Sequence, residues 1–173
     1  MKHHVGNMRR KAAGSKAEEA YKLVGFKFPE NFVLVADTRE QRPLFTRFPP
    51  GLVIKSATLK DGDYSVMGFE GKIAFERKGI SDLFPYCSTE RDKTIKKMKR
   101  FCDMEFAGLI IEAEEKDVLR FQQFTQVHPE VVRSAITSFQ VRYGVHVRFG
   151  SREDIARWML DIMIKYYLIK KEV

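Results

Sequence analysis

The sequence predicts an α/β domain of three layers, with helices on both sides of a central mixed sheet. Two continuous apolar runs, 32–36 and 108–111, have the composition of buried strands. A hairpin pattern occupies 63–78, and segments of helical periodicity follow it as far as 168. The resulting order of strand, hairpin, helices, strand, helices, strand and helix favours a mixed sheet that is covered on both faces.

Composition and charge restrict the class of protein. The 173 residues suffice for one domain with its own core, and the net charge of +8 favours a polyanionic partner. No apolar run approaches the roughly 20 residues that a membrane-spanning helix needs, so no membrane partner is expected. The two cysteines, Cys87 and Cys102, lack the spacing of a zinc site. We therefore expect a reduced, intracellular setting, in the cytoplasm or nucleoid.

Residues 1–30 form a basic segment in front of the domain. They hold seven Lys or Arg residues against three Glu residues. We expect a mobile basic tail over 1–16 and one short helix over 17–24. A disordered leader explains this tail better than a specific binding arm does. The domain proper is then expected to cover 31–173.

The first strand, 32–36, ends in the segment Asp37-Thr-Arg39-Glu40. Charged residues that follow a buried strand are typical of functional sites in α/β folds. Asp37 fits a turn equally well, and Arg39 with Glu40 fits a surface ion pair, so this segment alone leaves both interpretations open. A second strand is predicted over 52–58, after a Pro-Pro-Gly turn.

The hairpin contains the strongest functional signal. Its two apolar runs flank a Gly-Phe-Glu-Gly turn at 68–71, and this turn pairs position 63 with position 76. Strand alternation then directs Glu76 and Lys78 to one face and Arg77 to the other. The carboxylates of Asp63 and Glu76 and the ammonium of Lys78 therefore share one surface. Unpaired charges beside a core are costly, so burial alone gives little reason for this arrangement.

Two helices are predicted after the hairpin. The first begins over 81–84, with Ser81 as its N-cap and Asp82 in its first turn. The second covers about 90–104 and has lysines opposite an apolar face. That face consists of Ile95, Met98, Phe101 and Cys102.

The remaining chain supplies two further strands, 108–111 and 145–149, and the helices between and after them. A short helix near 115–121 and a longer one over 129–142 are predicted. For His128, which precedes the longer helix, we expect a surface or capping use.

The last helix, about 151–168, begins with a capping box formed by Ser151 and Asp154. Its apolar residues extend over more than one face. Either both sides are packed within the chain, or one side contacts a partner subunit.

The shared surface of the hairpin suits phosphodiester hydrolysis. Carboxylates such as Asp63 and Glu76 hold Mg²⁺ beside a scissile phosphate in many hydrolases. Lys78 lies two residues after Glu76 on the same face, where it can orient or deprotonate water or neutralise charge on the phosphate. The bare pattern of an acid followed by Glu-x-Lys is weak evidence, since it occurs often by chance.

Three blocks of the sequence resemble the motifs of XPF-type structure-specific nucleases. Residues 35–40 resemble the DxRE block, 61–64 the GDY/F block and 75–83 the ERKxxxDL block. The resemblance covers most of 32–168. It implies a restriction-endonuclease-like α/β/α fold and Mg²⁺- or Mn²⁺-dependent DNA endonuclease activity. The implied substrate is branched, flapped or nicked DNA in repair or recombination.

Roles follow from the resemblance by position. The catalytic core would consist of Asp63, Glu76 and Lys78, joined by the motif residues Arg77 and Asp82. The implied metal site comprises Asp37, Glu40, Asp63 and Glu76, with Asp37 and Glu40 as accessory acids. The basic residues that we expect to contact DNA are Arg39, Arg77, Lys93, Lys96, Lys97 and Arg100. A solvated helix face explains the cluster at 93–100 equally well.

The resemblance also implies a homodimer or heterodimer through the helices at about 130–143 and 152–168, in agreement with the wide apolar face of the last helix. Two departures from the family pattern bear on DNA recognition. Related chains often have Arg or Gln where this one has Lys93 and Lys97, which keeps positive charge but loses bidentate phosphate geometry. They also often carry a tandem helix-hairpin-helix module after the nuclease domain, which 1–173 does not include, so the preferred branch is left open.

Two other functions are consistent with the same residues. A non-catalytic DNA-binding or scaffold subunit would lend charge and a dimer surface to an active partner. A restriction-type nuclease of the same superfamily would differ only in its substrate.

Overall fold

The structure is a computed structural model that describes residues 26–45 and 49–172. The strands are β1 Val33–Asp37, β2 Val53–Ala57, β3 Tyr64–Val66, β4 Ile73–Gly79, β5 Phe106–Glu112 and β6 His146–Gly150. The helices are α1 Ile80–Cys87, α2 Arg91–Cys102, α3 Glu115–Val118, α4 Pro129–Tyr143 and α5 Arg152–Lys171. The basic tail and short helix that we expect before residue 25 lie outside the described residues.

Six strands form one sheet in the order β2-β1-β3-β4-β5-β6. β3 is antiparallel to β1 and β4, whereas all other neighbouring strands are parallel, so the sheet is mixed as predicted. Because β3 runs against the others, it begins at the edge where β1, β4 and β5 end. This topology brings Asp63, which precedes β3, to the same edge as Asp37 and Glu112.

The register of the hairpin agrees with the prediction. Tyr64 lies opposite Phe75, so position 63 lies opposite position 76. The backbone N–H of Asp63 donates to the Phe75 carbonyl over 2.7 Å, which continues the pairing beyond β3. Within the hairpin, Ser65 donates its hydroxyl to the Ile73 carbonyl over 2.6 Å. The positions of the two acids therefore follow directly from strand pairing.

The two faces of β4 pack against different helices. Ile73 and Phe75 belong to an apolar cluster with α5, whereas Ala74 belongs to a cluster with α1, α2 and α4. A Cβ on Gly108 of β5 would overlap the Phe75 ring, so glycine lets this ring cross the neighbouring strand. Burial of each large apolar side chain contributes about 1.5–3 kcal/mol to the free energy of unfolding. Helices thus cover both faces, which confirms the three-layer prediction.

The helix starts agree with the predictions at two of three positions. Ser151 and Asp154 form the predicted capping box. His128 caps α4, since its Nδ1 accepts a hydrogen bond from the Glu130 backbone over 3.1 Å. The prediction for Ser81 is wrong: Gly79 is the N-cap of α1, without a side-chain cap. The reason is that β4 continues to Gly79 and passes directly into the helix, which places Ser81 inside the first turn.

The apolar face of α2 is also shifted from the prediction. Met98 and Phe101 are buried, but Ile95 is only partly buried and Cys102 is exposed. Thr94 takes the buried position instead, and its hydroxyl donates to the Tyr86 carbonyl over 2.8 Å. This rotation directs the next turn of α2 toward the sheet edge where the acids lie.

Helix α5 packs along the sheet over most of its length. Besides its buried residues, Trp158, Ile162 and Tyr166 pack partly against the α5 cluster. Leu168 and Ile169 are exposed near its end. Packing within the chain therefore accounts for much of the wide apolar face. Among the described residues, no helix is long and apolar enough to span a membrane.

Candidate metal and phosphate site

A polar cleft of about 310 Å³ lies at the edge where β1, β4 and β5 end. It is lined by Arg39, Glu40, Gln41, Arg42, Asp63, Arg77, Lys78, Ser81 and Asp82. The structure therefore brings together one residue or more from each of the three sequence blocks. We call this feature the site cleft.

Hydrogen bonds to its backbone carbonyl and to its side chain fix Asp63 in the wall of the site cleft. Its carbonyl accepts from the Asp37 N–H over 2.8 Å, and its Oδ2 accepts from the Arg77 N–H over 2.7 Å. Gly62 precedes it with φ of 80°, and a Cβ there would lie 3.0 Å from the Phe75 carbonyl oxygen. Glycine is thus needed for the turn that delivers Asp63. Burial, reinforced by the charge of Glu76, raises the pKa of Asp63 to about 7.

Glu76 lies deeper and is held by two ammonium groups. It is 1% exposed. Lys78 Nζ donates to its Oε1 over 2.5 Å, and Lys97 Nζ donates to both of its oxygens over 2.7 Å. Burial alone raises the pKa of a carboxyl, but the charges of Lys78 and Lys97 hold the pKa of Glu76 below its ordinary value. The carboxylate is therefore ionised and fully neutralised.

Tyr86 of α1 supports these two lysines from below. Lys78 Nζ lies 4.9 Å from the centre of its ring, and Lys97 Nζ lies 6.0 Å away. Both distances are within the range of a cation–π interaction. Although burial disfavours an ammonium, the charge of Glu76 keeps the pKa of Lys78 above its ordinary value. Lys78 is thus held charged beside the acids.

Asp37 is saturated by hydrogen bonds at the end of β1. Its Oδ1 accepts from the backbone N–H and from Nε of Arg39, each over 2.8 Å. Its Oδ2 accepts from Arg39 Nη2 and from the Leu59 N–H, over 3.0 and 2.7 Å. These bonds, those of the Arg39 side chain first, lower the pKa of Asp37 to about 2. Asp37 therefore fixes Arg39, whose side chain is 68% exposed at the rim of the site cleft.

A protein-family model covers the residues that form this site. The family model described as the ERCC4 domain matches residues 36–162, which include the cleft-lining parts of all three blocks. The chain belongs to the ERCC4 domain family. This assignment confirms the resemblance stated from the sequence.

The fold of this ERCC4 domain is similar to that of a solved archaeal protein. XPF from Aeropyrum pernix superposes with a TM-score of 0.57 at 17% identity, over 79% of this chain and 65% of that chain. The same protein in complex with DNA gives 0.56 at 17% identity, over 80% and 66%. The ERCC4 domain chain thus spans slightly less than two thirds of these structures. No curated protein matches the sequence.

Glu40 of the first sequence block and Arg77 of the third block lie together in the ERCC4 domain. Glu40 Oε1 accepts from the Arg42 N–H over 2.7 Å and lies 3.4 Å from Arg77 Nη1. Arg77 points to the face opposite Glu76, as strand alternation predicts, and its Nε donates to Glu112 over 2.9 Å. Asp82 is exposed in the first turn of α1, where its charge contributes to the raised pKa of Lys78.

Glu112 and Arg152 were not predicted as site residues. Arg152 donates to both oxygens of Glu112, over 3.1 and 2.9 Å, and to the carbonyls of Arg42 and Pro43. Glu112 therefore joins β5, β4 and α5 beneath the site cleft. One signal could have indicated it: Glu112 ends a buried strand, as Asp37 does.

Of the basic residues on α2 that are expected to contact DNA, two are exposed and two are bonded to acids. Lys93 and Lys96 are exposed on α2. Lys97 is engaged with Glu76, and Arg100 donates to Asp61 over 2.6 Å. Asp61 belongs to the same block as Asp63 but was not predicted as a site residue.

The carboxylates of the ERCC4 domain suit a hard divalent cation. Within the described ranges, no group of three or more His, Cys, Asp or Glu side chains is already arranged around one point. Asp63 and Glu76 nevertheless offer oxygen ligands only, the kind that Mg²⁺ and Mn²⁺ prefer. Oδ1 of Asp63 accepts no hydrogen bond from the described residues, so this oxygen is open to a cation. The residues therefore fit a metal once one lysine hydrogen bond on Glu76 is released.

Proposed function

We propose that this ERCC4 domain is a metal-dependent DNA endonuclease that hydrolyses phosphodiester bonds in branched, flapped or nicked DNA during repair or recombination. The observation that carries the proposal is the half-buried Asp63 and Lys78 in the wall of an open, polar cleft, with the buried carboxylate of Glu76 directly behind them and bonded to Lys78. The chain's net charge of +8 suits a DNA substrate, and such a substrate implies an intracellular location. In this proposal, residues 31–173 form the nuclease domain.

In this proposal Asp63 and Glu76 hold Mg²⁺ or Mn²⁺. The metal would supply Lewis-acid stabilisation of the negative charge that develops on the phosphate. Lys78, which is charged and fixed by Glu76 and Tyr86, would neutralise a phosphate oxygen or orient the attacking water. Asp82, exposed beside it, would orient Lys78.

The remaining residues position the substrate or support the acids. Arg39 would contact a phosphate at the rim of the site cleft, since Asp37 fixes its guanidinium and leaves much of it exposed. Asp37 and Glu40 would be accessory acids of the metal site, engaged with Arg39 and Arg77. The exposed Lys93 and Lys96 would contact the DNA backbone farther along α2.

A partner subunit is proposed at the late helices. On α4, Val131 and Val141 are exposed, the latter to 80%, and Leu168 and Ile169 are exposed on α5. β6 lies at the edge of the described sheet. These features support a homodimer or heterodimer through the helices at 130–143 and 152–168. Sedimentation equilibrium would test it, with Val141→Glu as the variant expected to weaken association.

The central experiment is cleavage of fork, flap, nicked and linear duplex DNA with Mg²⁺, with Mn²⁺ and with EDTA. We expect metal-dependent cleavage that is strongest on the branched or nicked substrates. Glu76→Gln and Asp63→Asn should reduce kcat by at least about 100-fold. The matched controls, Glu70→Gln in the hairpin turn and Asp103→Asn after α2, should retain the wild-type rate.

Each other outcome has a defined meaning. Salt-sensitive DNA binding without turnover in any metal would contradict the proposal and support a scaffold subunit. Equal cleavage of linear duplex and branched DNA would support a restriction-type substrate. Full activity of Glu76→Gln would show that the site is placed wrongly.

A further inference from the structure

Lys97 reaches Glu76 from a different element. It lies 21 residues farther along the chain, on α2, and its ammonium spans both carboxylate oxygens at 2.7 Å. Oε1 also accepts from Lys78, whereas Oε2 has Lys97 as its one hydrogen-bond partner among the described residues. A metal ion that takes a Glu76 oxygen must therefore replace a lysine hydrogen bond.

The two lysines are not held equally. Lys78 also donates to the Arg77 carbonyl over 3.3 Å, lies 4.9 Å from the Tyr86 ring and is 19% exposed. Lys97 lacks that carbonyl contact, lies 6.0 Å from the ring and is 27% exposed. Lys97 sits on a long flexible stem with a path to solvent. Both hydrogen bonds of Lys97 go to the oxygens that a metal would take, whereas Lys78 also has the Arg77 carbonyl and the nearer Tyr86 ring, so Lys97 is the cation that a metal displaces with less loss.

We propose that Lys97 is an internal cation that neutralises Glu76 in the metal-free domain and leaves it when a divalent metal binds. The physical reason is that a 2+ ion and two ammonium groups around one buried carboxylate would repel one another strongly. Without metal and without Lys97, Oε2 of the buried Glu76 would have no hydrogen-bond partner among the described residues, which would destabilise the fold. This role rests on the proposed metal site at Asp63 and Glu76, and it makes Lys97 a positioning residue that sets metal affinity.

The first test measures metal binding and stability without any DNA. Lys97→Met keeps the apolar stem and removes the charge. We expect its Kd for Mn²⁺, measured by calorimetry, to be roughly tenfold lower than that of the wild type. In EDTA its Tm should fall, and the rise in Tm upon addition of Mn²⁺ should exceed that of the wild type. Lys99→Met, an exposed position on the same helix, is the matched control and should change neither quantity.

A second variant covers failure of Lys97→Met to fold. Lys97→Gln can still donate a hydrogen bond to Glu76 but carries no charge, and it should also bind Mn²⁺ more tightly than the wild type. The wild type itself provides another measurement. Acylation of Lys97 by an amine-reactive ester, followed by mass spectrometry, should accelerate several-fold with Mn²⁺, whereas acylation of Lys99 should not.

The outcomes separate this inference from the proposed function. If the wild type binds Mn²⁺ and cleaves DNA but both Lys97 variants bind Mn²⁺ no more tightly, the inference alone is overturned. Unchanged acylation of Lys97 with bound Mn²⁺ overturns it as well. If neither the wild type nor the variants bind Mn²⁺, the proposed function is overturned and this inference with it.

Discussion

Arg77 of β4 donates from Nε to the carboxylate of Glu112 at the end of β5 over 2.9 Å. Its side chain is 9% exposed, so this ion pair is largely shielded from solvent. Because β4 and β5 are parallel neighbours, the pair joins the two strands at the edge where the site cleft opens. Arg77 is thereby held on the face opposite Glu76, and its location depends on a residue outside all three sequence blocks.

Glu112→Gln is expected to lower the free energy of unfolding by about 1–3 kcal/mol, because Arg77 loses a charged, partly buried hydrogen-bond acceptor. Urea unfolding of the variant and the wild type measures the difference. Glu70→Gln, at the exposed hairpin turn, is the control and should change stability by less than about 0.5 kcal/mol. Similar losses in both variants would contradict the role given to Glu112.

Asp63 is expected to make the metal-free domain less stable as the pH rises. Its folded-state pKa of about 7 lies above the ordinary value of 3.8, so folding favours the neutral carboxyl. That stabilisation is present below about pH 4 and is lost as the pH rises through 7, by roughly 2–4 kcal/mol. Urea unfolding in EDTA should show this fall for the wild type and a smaller fall for Asp63→Asn. Parallel profiles of the two proteins would refute the prediction.

Asp37 is expected to make the domain more stable as the pH rises from about 2 to 4, which is opposite to the effect of Asp63. Its pKa of about 2 lies below the ordinary 3.8, so its stabilisation is present above about pH 4 and lost as the pH falls through 2. At pH 7, Asp37→Asn should cost about 1–2 kcal/mol, a value reduced by solvent screening of the exposed Arg39. Unfolding curves at pH 7 and pH 2.5 provide the test. A loss that is equally large at both pH values would argue against it.

Tyr86→Phe is expected to maintain or raise stability by up to about 1 kcal/mol. The Tyr86 hydroxyl is buried and has no hydrogen-bond partner among the described residues, and removal of an unsatisfied polar group is favourable. Tyr86→Leu should be less stable than Tyr86→Phe, since it also loses the ring beneath Lys78 and Lys97. Thermal unfolding of both variants measures the difference. A destabilised Tyr86→Phe would indicate that the hydroxyl has a partner.

Local rules were sufficient to predict the hairpin and its faces. Antiparallel pairing and the pleat fix the register of positions 63 and 76 and separate Glu76 from Arg77, and the structure shows both. The capping box of Ser151 was predictable for the same reason, because its partner Asp154 lies three residues away. Such features depend on short stretches of chain.

Contacts between distant elements could not be derived in this way. Lys97 reaches Glu76 only because Thr94, and not Ile95, faces the core and sets the rotation of α2. Periodicity favoured Ile95, since apolar patterns do not include a threonine that bonds to a carbonyl. The network of Glu112 and Arg152 likewise depends on how α5 packs across the sheet.

The hairpin turn joins β3 and β4 at one end, whereas the two carboxylates lie beyond the pair of Tyr64 and Phe75, just before β3 and in the middle of β4. The hydrogen bonds between the two strands set the positions of these carboxylates relative to each other. Their alignment therefore does not depend on the length of the loop. The loop at 68–71 can therefore lengthen or shorten in related genes without disturbing the chemistry, provided that the pairing of Tyr64 with Phe75 persists. By contrast, the spacing of Glu76 and Lys78 is fixed by the pleat. A search for distant relatives should thus allow any number of residues between Asp63 and Glu76, but only a single residue between Glu76 and Lys78.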